Sequence, residues 1–379
     1  MYKDKKLKII FAGGGTGGHL FPAIAIYEAI HKICCSNNIK NEFLFIGTKK
    51  GIEKVVLKEL NLPVKFIPIR GFQRGFNLKN IFRNSVLPLR ILASYIKCYI
   101  IFLWFKPDVI IGTGSYVSAP VLSIAKLMKK PYFLQEQNVT PGWVTKRYSK
   151  HAEITFTSFK ETEKYIPNTF YSGIPLRSSL KPIDRNLAMQ FFELDEKFET
   201  IFIFGGSQGS AAINKYWERN ILKYIENLNC QFIWQTGIKN YFYLKEKFQK
   251  VKRIHLTPFI HQIEFAYSSC DLVVSRSGAL TLAELSYFGK PAILIPLPTA
   301  AGNHQEINAR LFERAGATRV VLQYELKTEK LYDIISELLN EPQKMAKMSK
   351  NIRKFYKNNT ADLIAKKIME HVENYVWKN

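Results

Sequence analysis

Four short stretches of the 379-residue chain bring together residue types that can do chemistry. Residues 13–22, GGGTGGHLFP, set His19 among five glycines and Thr16. Backbone this bare admits a phosphate, admits a dinucleotide, or simply makes a tight turn. The segment that follows reads as a helix with Pro22 in its first turn, so free amide N–H groups point toward the loop. The positive end of such a helix favours a neutral imidazole able to accept a proton, which makes His19 a candidate general base; the alternative is a histidine that only fills the turn.

Residues 275–291, SRSGALTLAELSYFGKP, place Ala279, Leu280 and Thr281 at the start of a second helix. With a phosphate there, Glu284 one turn along would reach a sugar diol; the plainer reading is an acid suited to the helix dipole. GGSQGS at 205–210 repeats the order strand, glycine, hydroxyl, helix, and two such turns in one half of the chain suit a diphosphate. GNHQEINA at 302–309 groups Asn303, His304, Gln305 and Glu306 where they can bind sugar hydroxyls, or where Asn303 can cap a helix. None of these is a P-loop, and no acidic ribose ligand follows the first loop at dinucleotide spacing.

The elements that position these loops read as short apolar runs alternating with helix-period segments, the pattern of parallel sheets covered on both faces. The runs are KIIFA, EFLFIG, VKFIPI, DVIIGTG, YFLQEQ, EITFTS and TFYSG, then TIFIFGGS, QFIWQTG, RIHLTPF, LVVSRSG, AILIPLP and RVVLQ. The series restarts near residue 200, after the polar, proline-bearing connection GIPLRSSLKPIDRN at 173–186. Two domains follow, 1–173 and 174–357. In parallel sheets ligands gather beyond the carboxyl ends of the strands, so the glycine turns would line one face of each domain and the two faces would make a cleft.

Composition narrows the class. An apolar content of 47% with 23% charged residues is that of a folded globular chain. The first lysines precede an apolar run too short for a signal peptide, so the chain is expected in the cytoplasm. Five cysteines without a CxxC pair and seven scattered histidines argue against a disulfide framework and against a protein-held metal. A net charge of +24 points either to an anionic partner or to a merely soluble surface. Part of that charge has a place: no acid occurs from Leu60 to Pro107, where Arg70, Arg74, Lys79, Arg83, Arg90, Lys97 and Lys106 punctuate large apolar residues. Residues 86–105 have the length of a membrane span, but Pro88, Arg90 and Lys97 argue against spanning. Residues 91–105 read equally as a buried helix. Phe72, Phe76, Ile81, Phe82, Val86 and Leu87 with their arginines read as a contact with anionic lipid. No nucleic-acid-binding signature accompanies the basic patch.

Taken in order, GGTGGH, GTGSYVSAP, EQN, GGSQGS, SRSGALTLAE and NHQEINA resemble the MurG family over essentially the whole chain. These are transferases of N-acetylglucosamine (GlcNAc) from UDP-GlcNAc to undecaprenyl-pyrophosphoryl-N-acetylmuramoyl-pentapeptide (lipid I) in peptidoglycan synthesis. The resemblance implies a GT-B fold of two Rossmann-like α/β domains. Residues 1–173 with a returning helix at about 358–379 would take the lipid acceptor, and 174–357 the nucleotide sugar. It implies an inverting reaction without metal or other cofactor, at the cytoplasmic face of the inner membrane, with cell-wall synthesis and division proteins as partners and no nucleic acid. By motif, Thr16, Gly17 and Gly18 would approach the donor sugar and diphosphate, and Asn138 the GlcNAc. Arg177 and Ser207 would line the nucleotide site, and Ile260 would meet uracil through its backbone. Ala279, Leu280, Thr281, Leu282, Ala283 and Glu284 would bind diphosphate and ribose, and Gln305 the sugar hydroxyls. Tyr116 would belong to an acceptor loop, and Glu136 would orient or act as an alternative base. The chain departs from the family pattern at Gln135, where a histidine is common, and at Ser115, where a second glycine is common. Other readings are another GT-B enzyme (a lipid galactosyltransferase or a UDP-GlcNAc 2-epimerase), or a basic scaffold binding membrane or nucleic acid without catalysis.

Overall fold

A computed structural model describes residues 6–71 and 84–377. The chain divides into two compact units, residues 1–178 with 357–379, and 179–356. The first crossing lies five residues beyond the expected 173/174, and local contacts account for it. The Arg177 guanidinium stacks over the Phe21 ring at 5.2 Å, and the Ser178 N–H donates to the Glu28 carboxylate at 3.0 Å, so both residues stay with the first unit. At the return, Lys357 lies over the Tyr171 ring and donates to the Tyr171 carbonyl at 3.0 Å.

The first unit is built on the strands β1 (Leu7–Ala12), β2 (Asn41–Gly47), β3 (Val64–Phe66), β4 (Val109–Gly112), β5 (Tyr132–Glu136), β6 (Thr155–Thr157) and β7 (Thr169–Tyr171). They pair in parallel in the order β3-β2-β1-β4-β5-β6-β7. Because side chains alternate across a strand, Ile9 and Phe11 enter one core and Ile10 and Ala12 the other. Both faces are therefore apolar, and the strands read as continuous hydrophobic runs. Helices α1 (Gly17–Ser36), α2 (Glu53–Glu59), α3 (Leu87–Phe105), α4 (Ser115–Leu127) and α5 (Trp143–Tyr148) cover them. α1 begins at Gly17, so Pro22 sits in its second turn rather than its first. There it withholds the N–H that would bond the Gly18 carbonyl.

The second unit repeats the plan with β8 (Glu199–Phe204), β9 (Cys230–Gln235), β10 (Ile254–Thr257), β11 (Leu272–Ser275), β12 (Ala292–Leu294) and β13 (Thr318–Val320). Their parallel order is β10-β9-β8-β11-β12-β13. Its helices are α6 (Arg185–Phe191), α7 (Ala211–Asn227), α8 (Ile238–Phe248), α9 (Ile263–Ser269), α10 (Ala279–Phe288), α11 (His304–Arg314), α12 (Lys330–Asn340) and α13 (Pro342–Arg353). The chain then returns to the first unit as α14 (Thr360–His371), whose Ile364, Ala365, Ile368 and Met369 share a core with Leu20, Ile24 and Ile30 of α1.

In each sheet the strand order reverses once, between β1 and β4 and between β8 and β11. Loops leaving the two strands at such a point turn to opposite faces and open a crevice, where open parallel sheets bind ligands. His19 follows β1 and Tyr116 follows β4; Ser207 follows β8 and Thr281 follows β11.

Ser115, read from sequence as a departure from the common pattern, has a backbone signature. Ser115 opens α4 at a φ of 69°, the left-handed region that a glycine enters without a Cβ clash. Ser115→Gly is expected to raise stability by about 0.5–1 kcal/mol. A urea unfolding curve checks this, and an unchanged or lower midpoint would mean that the serine Cβ is under no strain.

Candidate functional site

The residues after β1 and β4 hold one another. The Nδ1 atom of His19 lies 2.9 Å from the Thr113 carbonyl. A carbonyl only accepts, so Nδ1 carries the hydrogen and the neutral ring keeps its lone pair on Nε2. Thr113 Oγ1 returns a bond to the His19 carbonyl at 2.7 Å, and Gln137 Nε2 donates to the same Thr113 carbonyl at 2.7 Å. Gly114, at a φ of 90°, passes so close that a Cβ there would stand 3.0 Å from His19 Nδ1. Both the tautomer and the ring position of His19 are thus set by the backbone after β4. Thr16 precedes α1 with no side-chain cap, and α1 has no acid in its first turn, so the amides of Gly17 and Gly18 face no carboxylate of their own helix.

Glu136, 3% exposed at the end of β5, is held by three donors. One carboxylate oxygen accepts from the Asn138 N–H at 3.0 Å and from Asn138 Nδ2 at 3.2 Å, and the other accepts from the Gly142 N–H at 3.0 Å. Gln135, read from sequence as a departure from the common pattern, is buried. Its amide donates to Ser158 Oγ at 3.1 Å and its oxygen accepts from Gln137 Nε2 at 2.6 Å, so it braces the Gln137 side chain that holds Thr113. Gln137 Oε1 is a buried acceptor with no partner among the described residues. Tyr116 is half-buried beside Thr48, and burial pushes its hydroxyl above the ordinary phenol range, leaving it a neutral donor.

The same corner contains a residue that sequence reasoning passed over. Glu53 is fully buried and accepts from the Gly15 N–H at 2.9 Å, the Thr48 N–H at 2.7 Å and Thr48 Oγ1 at 2.8 Å. A Cβ on Gly14, Gly47 or Gly51 would collide with its side chain. One amide of the first glycine loop is therefore already given to this carboxylate. Glu53→Gln puts N–H groups where these donors need an acceptor, so it should cost about 1–3 kcal/mol in urea unfolding. An unaltered midpoint would show that the loop does not depend on the carboxylate.

In the second unit, α10 starts after Gly278 with no side-chain cap and no acid in its first turn, so the amides of Ala279, Leu280 and Thr281 are presented as the sequence suggests. Leu282 is fully buried and offers a ligand only its backbone. Glu284, 8% exposed, accepts from the Tyr267 hydroxyl at 2.9 Å, which fixes its carboxylate. Gln305 Oε1 accepts from the Leu297 N–H at 3.0 Å, and the Gln305 carbonyl accepts from Ser277 Oγ at 2.8 Å, tying α11 to the start of α10.

Several of the expected residues have local partners that the sequence did not show. Ser210 caps α7 and also takes a bond from Arg276, so the GGSQGS turn is partly occupied by its own serine, while Ser207 is exposed. Asn303 does not cap α11; it sits at a φ of 54° and its amide donates to Glu306 at 2.9 Å. The Ile260 N–H is given to Gln235 Oε1 at 2.9 Å, so a base would have to meet its carbonyl. Arg177, expected at the nucleotide site, is anchored on Phe21 of the first unit. Among the described residues, no group of three or more His, Cys, Asp or Glu is placed to hold a metal.

Of the expected lipid-contact residues, Phe72, Phe76, Ile81 and Phe82 lie outside the described residues, while Val86 and Leu87 are half-buried where α3 begins. The buried-helix reading of 91–105 holds for one side only. Ser94, Cys98, Ile101, Phe102 and Phe105 face the core, whereas Leu89, Leu92, Ile96, Tyr99, Ile100, Leu103 and Trp104 are exposed. By length and composition α3 could cross a bilayer, yet its packed face belongs to the first unit.

Comparison with known proteins identifies the family. Residues 9–157 match the glycosyltransferase family 28 N-terminal domain and residues 200–368 its C-terminal domain. A Finegoldia magna protein named UDP-N-acetylglucosamine--N-acetylmuramyl-(pentapeptide) pyrophosphoryl-undecaprenol N-acetylglucosamine transferase is 36% identical over 92% of this chain and 94% of its own length. One of the same name from Thermoanaerobacter sp. strain X514 is 37% identical over 96% and 99%. The crystal structure of Acinetobacter baumannii MurG superposes with a TM-score of 0.72 at 24% identity, covering 96% of this chain and 99% of that one. A UDP-GlcNAc 2-epimerase from Neisseria meningitidis, bound to UDP-GlcNAc, shares the fold at a TM-score of 0.64 and 15% identity, over 97% and 100%. Fold alone therefore groups transferases with epimerases, whereas identity along the full length separates them: the chain belongs to glycosyltransferase family 28, as a member of the MurG family of N-acetylglucosamine transferases.

Proposed function

We infer that this enzyme transfers GlcNAc from UDP-GlcNAc to the C4 hydroxyl of the N-acetylmuramoyl unit of lipid I, releasing UDP. The observation that carries this reading is identity of 36–37% over nearly the full length of transferases with that name. The reaction is a single displacement: the hydroxyl oxygen attacks the anomeric carbon, the bond to UDP breaks, and the α linkage becomes β. The hydroxyl proton passes to Nε2 of His19, the nitrogen that the Thr113 contact leaves with its lone pair. Charge growing on the departing diphosphate is met by the amides at the start of α10 and by the hydroxyl-bearing turn after β8. Glu284, steadied by Tyr267, takes the ribose diol, and Gln305 the sugar hydroxyls. Asn138, held by Glu136, contacts the GlcNAc.

Transfer of labelled GlcNAc from UDP-GlcNAc to a lipid I analogue, with EDTA present, tests the reaction and its independence of metal; no product would sink the assignment. In the same assay His19→Ala should lower kcat by about 10²- to 10⁴-fold with UDP affinity kept. Near-normal turnover would move the base elsewhere.

The outer stripe of α3 further supports a peripheral seat on the cytoplasmic face of the inner membrane. Its exposed residues recur every three or four positions, Lys97 lies among them, and Lys65 stands 5.3 Å from the Trp104 ring at its end. With one side packed on the first unit, the helix would lie in the interface rather than cross it. Replacing Leu92, Ile96 and Leu103 by serine should weaken binding to phosphatidylglycerol vesicles about tenfold or more. Unchanged vesicle binding would remove α3 as the seat.

A further inference from the structure

Arg276 follows β11 at the strand-order reversal of the second sheet and is 7% exposed. Its guanidinium donates to four neutral oxygens. Nη1 reaches the carbonyls of Ile295 at 3.0 Å and Pro296 at 2.9 Å; Nη2 reaches Ser210 Oγ at 2.8 Å and Gln323 Oε1 at 2.6 Å. These acceptors lie beyond the carboxyl ends of β12, β8 and β13, so one side chain ties together the loops after four strands. None of the four carries charge. No ion pair of Arg276 with a carboxylate occurs among the described residues, whereas arginines 185, 310 and 319 all have one. Burial pushes the Arg276 guanidinium down to about 10, so it remains cationic at neutral pH.

A buried charge without a counter-ion is costly, and a protein that only needed to fasten these loops would do better with a neutral donor. The charge is justified if an anion completes the site. The uncapped start of α10 begins three residues after Arg276, and Ser277, its immediate neighbour, already braces α11.

We propose that Arg276 is the positioning residue for the nucleotide diphosphate, holding the four loops in register and supplying from beneath them the positive charge that the phosphates neutralise. This rests on the reading of the second unit as the UDP-sugar site. It predicts that Arg276 governs the preference for UDP over uridine rather than affinity for the nucleoside.

The test uses the full chain, with UDP and uridine each displacing a fluorescent UDP analogue. Arg276→Met should lower UDP affinity about tenfold or more while uridine affinity changes less than about twofold. Arg276→Lys, which keeps the charge but not the fork of hydrogen bonds, should recover most of the preference for UDP. A parallel fall for UDP and uridine, or a lysine variant as impaired in that preference as methionine, would overturn the proposal in favour of loop fastening alone. If Arg276→Met does not fold, Arg276→Lys and Ser210→Ala decide: both keep the charge, so both should keep the preference, and its loss in either overturns the proposal. A wild-type chain that fails to prefer UDP over uridine would instead refute the UDP-sugar reading itself.

Discussion

Everything chemical in this protein depends on a reversal of strand order in a parallel sheet. Parallel strands need crossover connections, and right-handed crossovers put successive helices on one face until the order turns back on itself. At that point two neighbouring strands send their loops to opposite faces, and backbone amides at the ends of both become accessible together. The first sheet uses the gap between β1 and β4 to set His19 against Thr113. The second uses the gap between β8 and β11 to set Ser210 against Arg276. The same topological solution thus holds a histidine ring in one unit and a buried guanidinium in the other.

The two units bury charges of opposite sign at these loops. The first glycine loop is held by the carboxylate of Glu53, satisfied by three donors; three residues before α10 stands Arg276, its guanidinium satisfied by four acceptors. A buried charge acts strongly on what binds above it because little water intervenes.

Much of this was legible in the sequence, for definite reasons. Strands buried on both faces, such as KIIFA and TIFIFG, read as unbroken apolar runs, and glycine turns at their carboxyl ends mark where ligands approach. His19 and Glu284 stood out because each follows such a turn. Glu53 did not, since EKVVLKE is an ordinary amphipathic helix start; its role comes from Gly14, Gly47 and Gly51, which leave it room only once three segments have folded together. Arg276 was hidden for the same cause, its acceptors lying 66, 47, 20 and 19 residues away. α3 misled in another way: apolar residues all round a helix mean burial in a soluble core, and only the packed structure separates the side facing the sheet from the side facing outward.

The position of α14 in the chain has a consequence for biosynthesis. Its apolar face completes the core against α1, the helix that carries His19 in its first turn, yet it leaves the ribosome only after all of the second unit. Chains fold as they emerge, amino-terminal parts first. The first unit must therefore wait, with one flank of α1 open to water, while the second folds as an insertion within it. His19 is made before any of the second unit, and the core behind its helix closes only after that unit has emerged.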